Sequence, residues 1–222
     1  MARKSRSLKG VSRDEMLRKM RAGIIDGQIP PGTKLVECDL MDEYGVGRSV
    51  VRSVFYALEI EGLVEKRPNK GVTVRSFDFD TLLEIMEIRQ SLESMAAYLA
   101  AQRTKPEDWK DLYIEFGKPL DDSIEQLDFE TYFQMISAFR SRLLSAAKNE
   151  ELSKLVNSLF AKIQIVQRRI IILPGRIKEA ITEHRAILKA LMEGDAAEAE
   201  RLKRLNLQSA TECLKKYKKW VF

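Results

Sequence analysis

Histidine occurs once in these 222 residues, at His184, and cysteine twice, at Cys38 and Cys213. One imidazole leaves no second histidine for a proton relay. Two thiols are too few for a disulfide framework or for the Cys/His spacing of a zinc site, and they fit a reducing compartment. The chain has no P-loop and no GxSxG elbow, so no residue is nominated as a nucleophile or a phosphate cradle. No stretch approaches the ~20 apolar residues of a membrane span. The first ten residues, MARKSRSLKG, lack the apolar run of a secretory signal. The expectation is a cytoplasmic protein that is not an enzyme and carries no cofactor. Glycine is scarce too, and uneven: eight of its eleven copies lie before residue 72, which leaves the rest short of turn formers.

Charge is uneven in the same way. Residues 1–76 hold 15 Lys and Arg against 10 Asp and Glu, so +5, while the remaining residues hold 23 of each and balance to zero. A basic, turn-rich third on a neutral helical body fits nucleic-acid contact confined to one end. Charge alone is equally compatible with a solvated lysine surface. Lys215, Lys216, Lys218 and Lys219 form a basic cluster near a helix end, which suits the helix dipole without any ligand.

The apolar pattern predicts mostly helix in two domains: residues 1–76 as an α/β winged helix-turn-helix, and residues 77–222 as an all-α bundle of six helices. In the first, helices are expected over 11–25, 36–44 and 48–61, and two wing strands over 63–67 and 72–75. Val51, Val54, Phe55 and Leu58 follow i, i+3, i+4, i+7, one stripe facing a core. The opposite face carries Ser49, Arg52, Ser53 and Tyr56, with Arg48 beside it. Paired arginines and hydroxyls near a helix N-terminus suit guanine edges and phosphate oxygens. In the second domain, helices are expected over 79–102, 106–117, 128–147, 150–172, 176–193 and 195–219, with 118–127 as a break.

The N-terminal third resembles the GntR family of bacterial transcription regulators. The matching positions are Ile25, Gly27, Ile29, Pro31, Gly32 and Leu35, then Gly45-Val46-Gly47-Arg48 with Val51-Arg52. Leu58, Glu61-Gly62-Leu63-Val64, Pro68-Asn69, Gly71 and Val74 complete them. The remainder resembles the FCD effector domain of the FadR-like branch, through Glu87-Ile88-Arg89, Leu92-Glu93, Ala146, Asn149, His184 to Leu188, and Gly194-Asp195. Six helices look more like its VanR-type subgroup. The resemblance implies a homodimer whose winged domains read an inverted repeat of double-stranded DNA, with a small molecule sensed by the helical domain. It implies DNA contacts at Arg48, Ser49 and Arg52, with Lys70 and Gly71 at the wing tip. Two departures stand out. Gly47, Val50 and Ser53 replace the usual Ser, Pro and Glu, and Cys38 stands where many relatives place a DNA-contacting arginine.

Many FCD domains hold a divalent metal through one Asp and three His. By resemblance those positions fall on Ile136, Arg140, His184 and Asn206, so one ligand of four remains and no metal is expected. The helical stripes lead to a different expectation. Arg89, Arg140, His184 and Asn206 each interrupt an otherwise apolar face, and unpaired burial of such groups costs several kcal/mol. They are therefore expected to converge, with Arg89 and Arg140 gripping the carboxylate or phosphate of an organic anion and His184 and Asn206 orienting it. An internally satisfied histidine and an Arg140–Glu93 pair are the plainer alternative. An architectural DNA-binding protein, or a regulator whose sensor has decayed, also stays open.

Overall fold

A computed structural model describes residues 10–25, 27–67, 71–76, 78–171 and 173–221, without the side chains of 67, 161, 162, 164–169, 220 and 221. The chain divides into two compact units, Met1–Phe77 with Phe160–Arg168, and Asp78–Leu159 with Arg169–Phe222.

In the first unit three helices, α1 (Arg13–Ile25), α2 (Glu37–Tyr44) and α3 (Arg48–Ile60), accompany strands β1 (Lys34–Leu35), β2 (Val64–Arg67) and β3 (Gly71–Val74). The spacing of Val51, Val54, Phe55 and Leu58 puts all four in the core, against Met16, Met20 and Ile24 of α1. Each such side chain contributes roughly 1.5–3 kcal/mol by leaving water. Gly47 starts α3 without a side-chain cap. Gly62, at φ +71°, turns the chain out of the helix where a residue with a Cβ would be strained. The strands then pair antiparallel in the order β1-β3-β2, with Val64 opposite Val74 and Lys34 opposite Thr73. Strand β1 was not anticipated, since two residues are too short to show alternation.

The second unit is helical: α4 (Phe79–Arg103), α5 (Glu107–Glu115), α6 (Lys118–Glu125), α7 (Phe129–Ala146), α8 (Glu150–Ile171, of which Phe160–Arg168 is grouped with the first unit), α9 (Arg176–Glu193), α10 (Ala196–Lys216) and α11 (Lys218–Val221). Asp78, Asp128 and Asp195 cap α4, α7 and α10 through the backbone N–H groups of Thr81, Thr131 and Glu198. Helix α4 packs along α10, which also lies against α9, while α5 lies against α9 and α4 against α7. Ala96, Ala97, Ala100 and Ala101 are buried along α4. Trp109, Phe116 and Phe139 fill the core beside them, with Phe116 edge-on to Phe139 at 6.2 Å.

Two segments differ from the sequence expectation. Residues 118–125, read as a break, form α6: Pro119 sits in the first turn where its missing N–H costs nothing, Lys118 pairs with Asp122 one turn on, and Leu120 is buried. The last expected helix ends at Lys216, and a separate turn, α11, follows. With eight helices rather than six among the described residues of this part, helix count carries no subgroup assignment. No helix among the described residues is long and apolar enough to cross a membrane.

Candidate nucleic-acid interface and buried charge cluster

The outer face of α3 presents Arg48 and Arg52 with their side chains 58% and 65% exposed, and Ser49 exposed between them. Both guanidinium groups lean on one carboxylate. Glu37, in the first turn of α2, accepts a hydrogen bond from Arg52 Nε at 2.8 Å, and its second oxygen lies 3.4 Å from Arg48 Nε. The hydrogen bond from Arg52 and the charge of both arginines hold the Glu37 carboxyl below the usual carboxylate range. Ser53 is half-buried. Its hydroxyl donates to Val50 O at 2.8 Å and accepts from Arg13 Nε at 3.2 Å, so this position presents Arg13 more than its own hydroxyl. Gly71 opens β3 at φ +81°, which favours glycine at the wing. Lys70 lies outside the described residues. Cys38 is exposed on α2.

Arg13 and Glu37 escaped the sequence reading. Arg13 reaches α3 from forty residues upstream, where no local pattern could point to it. Glu37 left a weak signal: an acid opening a helix just before a basic one.

The helical unit holds a buried chain of charges. Arg89 on α4 is 4% exposed and donates through Nε to Glu93 Oε1 at 2.7 Å, one turn on. The other Glu93 oxygen lies 3.0 Å from Lys203 Nζ of α10. Lys203 donates to Asn206 Oδ1 at 3.1 Å, Asn206 Nδ2 donates to Glu183 Oε2 at 2.7 Å, and Arg176 Nη2 donates to the same oxygen at 2.9 Å. Burial would raise the Glu93 carboxyl, but Arg89 and Lys203 outweigh it and hold it at about 2. Burial pulls the Lys203 ammonium down against the attraction of Glu93.

His184 sits at the edge of this chain. Its ring stacks on Phe116 at 5.7 Å and meets Phe139 edge-on at 5.1 Å, while Nδ1–H donates to Ala180 O at 2.7 Å. Burial, then nearby Lys203, push it down to about 3, so the imidazole is neutral. Arg140 donates to Asn157 Oδ1 of α8 at 2.9 Å. Its own burial, with Arg89 close by, lowers it to about 10 against the pull of Glu93.

Of the four residues expected to converge, Arg89 and Asn206 are joined through Glu93 and Lys203, and His184 forms an aromatic wall beside them. Arg140 stands within electrostatic reach but bonds toward α8. Glu93 takes Arg89 and Lys203 as its bonded partners. Lys203, Glu183 and Arg176 were missed, although Lys203 lies on the α10 stripe one turn after Ala199. An open polar cleft of about 610 Å³ runs between the end of α7 and the start of α8, lined in part by Ser145, Lys148, Lys154 and Asn157. Asn157 connects it to Arg140.

The donor set does not fit a divalent metal. Ile136 offers no donor, and Arg140 and Lys203 bring positive charge. Asn206 is hydrogen-bonded at both ends of its amide. Among the described residues no three His, Cys, Asp or Glu side chains are grouped to hold an ion.

Residues 13–74 match the family "Bacterial regulatory proteins, gntR family", and residues 84–209, more than half of the chain, match the FCD domain. The chain is 28% identical over 140 residues to the Nta operon transcriptional regulator of Aminobacter aminovorans, covering 62% of this chain and 64% of that protein. It is 28% identical over 218 residues to the HTH-type transcriptional regulator LutR of Bacillus subtilis, covering 87% of this chain and 97% of that one. Its fold is similar to that of E. coli McbR/YncC, with a TM-score of 0.76 at 22% identity over 93% of this chain and 98% of the other.

Proposed function

Because the chain belongs to the GntR family of bacterial transcription regulators and carries an FCD domain, we propose that it is a cytoplasmic repressor that binds an inverted-repeat operator as a homodimer and answers to a small organic anion. On this reading residues 1–76 contact DNA and residues 77–222 hold the effector and the dimer contacts. Arg48, Ser49 and Arg52 face the major groove, Ser53 contributes through the Arg13 that it holds, and Lys70 and Gly71 are the contacts of the wing. The observation that carries the DNA reading is the pair of exposed arginines standing side by side on α3. Each can fork onto guanine O6 and N7, a contact worth about 1–3 kcal/mol of discrimination. A two-fold dimer imposes a two-fold operator.

The effector reading rests on the buried cluster, where Arg89, Arg140 and Lys203 gather about Glu93 with His184 and Asn206 beside them. A carboxylate or phosphate suits such a set. Footprinting on genomic fragments tests the DNA half, since a specific regulator protects a short palindrome and an architectural protein protects broadly. For the effector half, thermal-shift titration of chelator-treated protein against small carboxylates, phosphates, zinc and nickel is decisive. Stabilisation by an organic anion that Arg140→Ala loses supports the reading; stabilisation by metals alone sinks it. A second reading, a constitutive binder with a silent pocket, is favoured by the internal bonding of Lys203 to Glu93 and Asn206, of Arg89 to Glu93 and of Asn206 to Glu183. No response to any compound would decide for it.

A further inference from the structure

Glu37 places a carboxylate in the middle of the basic face proposed above to contact DNA. Exposed acids on such a surface repel phosphates and lower affinity for any sequence. The two contacts of Glu37 have a common feature: Arg52 and Arg48 each approach it through Nε, at 2.8 Å and 3.4 Å. The side chain is 30% exposed, less than either arginine. It comes from α2, which packs against α3, so its base is fixed by the fold. Lys66 of β2 adds to the positive field around it.

Resting on the reading of Arg48 and Arg52 as base contacts, we propose that Glu37 is a positioning residue that sets sequence specificity, holding both arginines by Nε so that the terminal Nη pair of each faces outward toward a guanine edge. An arginine swinging freely on its long side chain meets phosphates and bases indiscriminately. One tied at Nε presents two donors in a fixed plane, the geometry that O6 and N7 of guanine accept. The carboxylate thereby exchanges general affinity for discrimination.

The test uses the full-length protein, a duplex that it selects from a randomised pool, and the unselected pool of the same length as the non-specific reference. Glu37→Ala is expected to lower the ratio of selected to pool affinity about tenfold, the weight of one guanine contact, while affinity for the pool holds or rises. Glu37→Gln, which keeps an oxygen to accept the Nε–H, should fall between. An unchanged ratio in Glu37→Ala overturns the proposal. So does a parallel fall of both affinities with a lowered melting temperature, because that marks a merely structural residue. Arg48→Ala and Arg52→Ala separate the two levels of inference. If neither changes the ratio, the reading of α3 as the base-contacting helix fails. If they leave it unchanged while Glu37→Ala shifts it, Glu37 contacts a base itself and is not a positioning residue.

Discussion

At the scale of single residues, burial decides which polar groups matter, and two of them give separable acid responses. His184 is the one histidine of the chain, and burial holds it at about 3 against an ordinary 6.5. The unfolded chain therefore takes up a proton below pH 6.5 that the folded chain refuses. Stability is fully present above that value and lost as pH falls from 6.5 toward 3. Glu93 is held at about 2 against 4.5, so its contribution is present above 4.5 and lost as pH falls toward 2. Urea denaturation at a series of pH values should show stability declining already between pH 6.5 and 5, and His184→Gln should remove that early slope. An unaltered slope would mean that the imidazole is not buried neutral. Glu93→Ala removes the partner of both Arg89 and Lys203, and at neutral pH it should cost about 3–5 kcal/mol by the same measurement. These residues also mark what could be read beforehand. A polar residue on an apolar stripe is visible in a sequence, as Arg89, Arg140, His184 and Asn206 are. Which partner it meets is not, and Lys203 and Glu183 come from helices whose register is set only by packing.

Among the elements, those with long periodic faces were legible and short ones were not. The four apolar residues of α3 and the glycine after it define that helix in sequence as well as in space. The turn Gly194-Asp195 was equally legible, because glycine closes α9 at φ +70° and the aspartate caps α10 by accepting from Glu198 N at 3.0 Å. Removing that cap with Asp195→Ala should cost about 1 kcal/mol, read as a lower urea midpoint with an unchanged slope. A shift within error would show that the first turn of α10 is held by packing. By contrast, α6 rests on Leu120, a proline in its first turn and ion pairs from Lys118 to Asp122 and from Arg185 of α9 to Asp121, too little periodicity to separate it from a loop. The wing was legible as a hairpin, but β1 entered the sheet through tertiary pairing with β3 that no local pattern announces.

For the molecule as a whole, the question is whether the helical part and the DNA-reading part are coupled at all. A regulator requires that an anion bound among Arg89, Arg140 and Lys203 alter the affinity for operator. Linkage then requires the operator to alter the affinity for that anion by the same factor. Couplings of this kind amount to about 1–3 kcal/mol, or roughly 5- to 150-fold. The check is calorimetric titration of whichever carboxylate or phosphate stabilises the chelator-treated protein, with and without saturating selected duplex. The two dissociation constants should differ by at least fivefold, and the ratio should match the anion's effect on duplex affinity. The direction also matters: a repressor released by its effector must bind that anion more weakly when DNA is present. Tighter binding with DNA would make the anion a corepressor. Equal constants would mean that the buried charges bind a ligand without informing the DNA face, and the constitutive reading, favoured by the internal bonding of Glu93, Lys203 and Asn206, would then be the better account.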